Sequence, residues 1–173
     1  GTASGSWWSG PPGDDGIPET TMRCGTPNGY SVLTFEGNTY EAQWRSAGHP
    51  ANHQMTITCP PVISAEAGYP PELFVNFYIG RPDDAVRFRV DDGDWQTLNY
   101  RARPDPAYMQ LWLRHNYGET LATGRPLPTP GPAHHLWSRR LPNDLAVGEH
   151  VVTVEATDAW GNVFTDTVTL RVE

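Results

Sequence analysis

The stretch 136–173 alternates so regularly that it narrows the chain to one class of fold. His150, Val152, Val154, Ala156 and Asp158 share one parity, against Val151, Thr153, Glu155 and Thr157. After a turn at Trp160-Gly161-Asn162, Phe164, Val168, Leu170 and Val172 share the next face. A period of two marks a strand with one buried face and one wet face. Upstream, Leu73 to Ile79 is a β-rich run, Val86, Phe88 and Val90 alternate with Arg87 and Arg89, and Leu136 to Leu141 reads as another strand. The turns between them are Pro82-Asp83-Asp84, Asp91-Asp92-Gly93-Asp94, Pro142-Asn143-Asp144 and Val147-Gly148-Glu149. Gly and Pro, 17 of each, fall between apolar runs rather than in one block. No helix-period stretch of useful length interrupts this series. Parallel βαβ units are thereby excluded, and an all-β antiparallel sandwich is predicted.

The front of the chain adds a hairpin. Tyr30, Val32 and Thr34 alternate with Ser31, Leu33 and Phe35, Glu36-Gly37-Asn38 turns the chain, and Thr39 to Trp44 returns. His53 to Cys59 alternates again, with Met55, Ile57 and Cys59 on one face and Pro60-Pro61 as its stop. Residues 102–132 are Pro-rich and loop-like, except that Tyr108 to Leu113 reads as a turn or short helix. Residues 1–28 form an extended Gly/Pro-rich lead-in. Their acidic pair Asp14-Asp15 lacks EF-hand spacing and reads as a solvated turn. The expected organisation is a lead-in over 1–28, a hairpin region over 29–68 and a sandwich over 69–173, packed as one unit.

Charge excludes several function classes. Lys+Arg number 12 against 20 Asp+Glu, a net charge of −8, which is the wrong sign for a phosphate-binding surface, so no nucleic-acid partner is expected. Every basic residue is Arg, and the absence of Lys removes Schiff-base and P-loop lysine chemistry. No run approaches the ~20 apolar residues of a transmembrane helix.

Four features invite functional readings. Trp7 and Trp8 stand between small residues in Gly5-Ser6-Trp7-Trp8-Ser9-Gly10, on a segment too irregular for a helix or central strand. Rings of that size must dock on this chain's own core, on a neighbouring domain or on a ligand. His134-His135 tempts a metal reading, but adjacent strand residues point to opposite faces, so one packed and one exposed imidazole is expected. Cys24 and Cys59 are too few for a zinc site. They are a possible disulfide in an exported protein, or two small buried side chains in the cytosol. Trp7, Trp8, Trp95, Trp112, Trp137 and Trp160 also suit a sugar-stacking platform.

Longer motifs carry a resemblance. Leu141-Pro142, Gly148 to Asp158 and Gly161-Asn162 look like the closing hairpin of bacterial immunoglobulin-like and fibronectin-like domains. In that reading Gly148 takes a positive φ and Asp158 bonds the turn amides before Gly161. Adding Gly5 to Gly10, Gly16-Ile17-Pro18, Gly25 to Tyr30, Thr34 to Tyr40 and His135-Leu136-Trp137, the chain resembles the C-terminal domain of bacterial calcineurin-like phosphoesterases over nearly its whole length. The resemblance implies the tail of a longer, periplasmic or secreted hydrolase whose catalytic metallophosphoesterase domain holds two divalent metal ions.

The family's metal-binding motifs are not in this chain. Gly37-Asn38 is followed by Thr39, Gly161-Asn162 is followed by Val163, and there is no His-x-His. A Gly-x-Ser-x-Gly elbow is also missing. No catalytic residue, metal ligand or cofactor is therefore assigned here. The expected role is a noncatalytic accessory domain packing on the catalytic domain and shaping its active-site rim. Trp7, Trp8, His134, His135 and Trp137 are the candidate contacts. A carbohydrate-binding module and a passive spacer are the alternatives.

Overall fold

A computed structural model of the chain describes residues 16, 20–118 and 126–173. In chain order its strands begin with β1 (Gly29–Glu36), β2 (Thr39–Ser46), β3 (Met55–Thr58), β4 (Val62–Ile63), β5 (Glu72–Phe77) and β6 (Ala85–Val90). There follow β7 (Gln96–Thr97), β8 (Asn99–Tyr100), β9 (Arg103–Pro104), helix α1 (Pro106–Tyr117), β10 (Pro132–Ala133), β11 (Leu136–Arg140), β12 (Gly148–Thr157) and β13 (Val163–Val172). Two compact units share this chain. Unit 1 comprises 1–54 and 102–134; unit 2 comprises 55–101 and 135–173.

Unit 2 is a β-sandwich, as the alternation requires. One sheet has the order β3-β5-β11-β8, the other β4-β13-β12-β6-β7. All pairs are antiparallel except β4, which runs parallel to β13. Leu73, Val75 and Phe77 of β5 and Trp137 of β11 form the core with Val86 and Phe88 of β6, Val152, Val154 and Ala156 of β12, and Leu170 and Val172 of β13. Each fully buried side chain of this size contributes about 1.5–3 kcal/mol. Met55, Ile57 and Cys59 do share a face and pack in or against this core. Their strand β3 pairs with β5, so the unit boundary falls at residues 54 and 55.

The closing hairpin behaves as its residues dictate. Gly148 has φ 140°, a region that L side chains rarely adopt. Asp158 Oδ1 accepts the Trp160 and Asn162 backbone N–H groups, both at 2.9 Å, which fixes the β12–β13 turn.

Unit 1 holds the β1–β2 hairpin, the short β9–β10 pair and α1. The helix lies where Tyr108 to Leu113 read as a turn or short helix, and it extends beyond that segment at both ends. It runs 12 residues, from Pro106 to Tyr117. Its signal is a cap rather than a period: Asp105 Oδ1 accepts the Tyr108 N–H at 2.7 Å, and Pro106 opens the helix. Asn116 then clamps the chain beyond, donating from Nδ2 to the Leu127 carbonyl at 3.0 Å and accepting the Leu127 N–H at 2.8 Å. Only part of the helix is apolar-faced; Tyr108 and His115 are its buried residues. With so little tertiary cover the cap matters. Asp105→Ala is expected to lower stability by about 1 kcal/mol, read as a lower melting temperature by circular dichroism.

Candidate interaction surface

The β1–β2 hairpin is built by a two-residue turn, Gly37-Asn38, between the pairs Glu36↔Thr39 and Phe35↔Tyr40. The pleat then sorts its side chains. Leu33 lies opposite Ala42, Phe35 opposite Tyr40 and Ser31 opposite Trp44, so one face is mostly apolar from the turn to Trp44. The other face is polar along β2: Arg45 Nη2 donates to Gln43 Oε1 at 2.9 Å, and Gln43 Nε2 donates to Glu41 Oε1 at 3.1 Å.

The base of this hairpin is locked and its tip is bare. Trp44 is buried, its Nε1–H donates to Ser46 Oγ at 2.8 Å, and its carbonyl accepts from Gln54 Nε2 at 2.8 Å. The Trp44 ring lies so close to Gly29 that no Cβ fits there. Toward the turn the same apolar face is open to water. Leu33 is 51% exposed, Phe35 68% and Tyr40 52%. The Phe35 and Tyr40 rings lean on each other, centroids 6.1 Å apart. Isolated two-stranded hairpins are marginal in water, and clustered exposed apolar residues are the usual mark of a contact surface.

The residues singled out from sequence are dispersed. Trp7 and Trp8 lie outside the described residues. His134 and His135 sit in the turn between β10 and β11, with His134 exposed and His135 half-buried. His135 Nδ1 is 2.6 Å from Asn76 Oδ1, so that imidazole is held by β5. Trp137 lies in the core. Its ring is 2% exposed and packs against Tyr100 and Phe77, centroids 5.6 and 6.3 Å away. Its area is used by the sandwich core and offers little to another domain. Cys24 and Cys59 are both half-buried thiols in this structure. Burial pushes the Cys59 thiol above its ordinary pKa, which makes it a poor thiolate.

The described tryptophans proposed for sugar stacking are engaged within the chain. Arg87 and Arg89 lie over Trp95 at 4.6 and 5.0 Å from the ring centroid, and Arg81 lies over Trp160 at 4.7 Å. Trp112 packs edge-on against Tyr117. Among the described residues no group of three or more His, Cys, Asp or Glu side chains is placed to hold a metal ion. In the same residues no helix is long and apolar enough to cross a membrane.

The family model for the C terminal of calcineurin-like phosphoesterase matches residues 1–164. The chain belongs to this family. No curated protein matches it. The match makes the chain a C-terminal domain of the calcineurin-like phosphoesterase type, and its own architecture is mostly β. The surface that sequence reasoning missed is the hairpin tip. Its signal was present, since Leu33, Phe35, Tyr40, Ala42 and Trp44 fall on one face of a hairpin whose register the Gly-Asn turn sets.

Proposed function

We propose that this domain is a noncatalytic accessory that packs on the catalytic domain of its parent phosphoesterase and shapes the rim of the active site. The single observation carrying the proposal is the bare apolar tip of the β1–β2 hairpin, Leu33, Phe35 and Tyr40, on a base that is rigidly anchored. A rigid stem with an apolar end is suited to reach a hydrophobic recess, because little ordering entropy remains to be lost on docking. Exposed His134 is a second contact candidate. The lead-in tryptophans Trp7 and Trp8 remain proposed contacts as well. We assign the two divalent metal ions to the catalytic domain and the whole protein to the periplasm or the exterior. Cell fractionation of the parent protein checks that location.

The test is a triple variant, Leu33→Ser/Phe35→Ser/Tyr40→Ser, made in a two-domain protein that joins the catalytic domain to this domain, and in the 173-residue chain alone. The isolated chain is expected to keep its melting temperature, since solvent already covers these side chains. The two-domain protein is expected to become more susceptible to protease between its domains and to lose kcat/KM. Unaltered proteolysis and kinetics would remove the hairpin from the interface. A saturable change of tryptophan fluorescence with a defined polysaccharide would instead favour sugar binding.

A further inference from the structure

His150 occupies an unusual position for a titratable group. It opens β12 on the inward parity otherwise filled by Val152, Val154 and Ala156, and it is largely buried. Both of its ring nitrogens face acceptors. Nδ1 is 2.7 Å from Asp91 Oδ2, and Nε2 is 2.7 Å from the Ala146 carbonyl. A neutral imidazole carries one N–H and satisfies one such oxygen; the imidazolium satisfies both.

We infer that His150 is a pH-sensitive clasp whose imidazolium ties segment 141–147 and the turn after β6 to the start of β12, one tie being released on deprotonation. The turn side of the clasp is stiff. Asp91 has φ 50°, a left-handed conformation that a residue other than glycine holds only where its neighbours fix it. Here Val151 fixes it from both sides: Asp91 N–H donates to the Val151 carbonyl, and Asp91 Oδ1 accepts the Val151 N–H, each at 2.8 Å. The loop side is held by the Ala146 carbonyl. Around the ring, the turn after β6 presents the Asp91 carboxylate, segment 141–147 presents the Ala146 carbonyl, and β13 presents apolar Leu170. Glu149 belongs to the opposite face, across from Arg171.

The charges respond as this geometry demands. The bond to Ala146 and then the bond to Asp91 raise the His150 pKa above its ordinary value. The Val151 N–H and then His150 lower that of Asp91. A raised histidine stabilises the fold fully below the unfolded value of ~6.5, and this contribution is lost as pH rises through the folded value. A lowered carboxylate contributes above its unfolded value and loses that contribution as pH falls through the folded one. The clasp is therefore closed in mildly acidic solution and loosens on the alkaline side. The segment it would free includes Pro142, Asn143 and Leu145, which wall a cavity of about 40 Å³ with Ile63, Tyr69 and Val172.

The test is nitrogen-detected NMR of the 173-residue chain between about pH 5 and about pH 9. Two slowly exchanging ring N–H signals of His150 are expected at the acid end, with titration above ~6.5. Amide protection at Val151, corrected for intrinsic exchange, is expected to fall about tenfold across that titration, and to become pH-independent in His150→Gln. In Asp91→Asn the His150 titration is expected to move to lower pH. Titration of the wild-type ring at or below the ordinary value would overturn the clasp, as would equal pH dependence in the Gln variant. If either variant fails to fold, the wild-type ring titration alone decides.

Discussion

Trp137→Ala is expected to strip about 3–5 kcal/mol from unit 2, the largest single loss in the chain. The ring is buried between Tyr100 and Phe77, and Gly80 is pressed against its edge, with no room for a methyl group between them. Such a void is closed on one side by two sheets whose other residues are already packed, so little collapse can offset the lost contacts. The measurement is urea unfolding followed by near-ultraviolet circular dichroism, which reports this aromatic cluster. A loss under about 1 kcal/mol would mean that the ring is not the centre of the sandwich.

The second large effect belongs to unit 1. Gly29→Val is expected to lower its stability by about 1–3 kcal/mol. A side chain at residue 29 would run into the Arg45 carbonyl and the Trp44 ring, and the first of these is backbone that cannot step aside. The pair Gly29↔Ser46 would open, and with it the Trp44 bond to Ser46 that locks the stem. Thermal unfolding of the isolated chain measures the cost. In the two-domain protein the same change is expected to mimic the tip variant, because an unanchored hairpin cannot present Leu33, Phe35 and Tyr40 in one orientation. Full stability with intact domain docking would show that the stem tolerates a bulkier residue.

The parts of the fold written in local periodicity could be read directly. The β1–β2 hairpin follows from its alternation and Gly-Asn turn, and β12 and β13 from parity. The inward set Val152, Val154 and Ala156 and the Asp158 turn are found as expected. Helix α1 was less legible because its pattern has no clean apolar stripe; its capping aspartate and proline were the usable sign. Trp137 illustrates a deeper limit. Alternation places it on a strand beside two histidines, as found, but does not say which face of that strand is covered, and the folded chain turns the ring inward. The hairpin tip is the converse case. Alternation shows that two faces differ, but only the folded chain shows which face is left without cover. The His150–Asp91 pair lies 59 residues apart in sequence, joined by the β6–β12 pairing, and no local pattern announces it.

The interleaving of the two units has a consequence for biosynthesis. Each is spelled in two stretches, 1–54 with 102–134 and 55–101 with 135–173. On the ribosome, β5 and β6 emerge with Leu73, Val75, Phe77, Val86 and Phe88 long before β11 and β12 exist to cover them. The first unit is completed only while the second stands half-made, its apolar strands held in waiting. Nascent chains in that state are the natural clients of holding chaperones. A cut placed anywhere in 55–134 therefore yields a fragment lacking part of at least one unit.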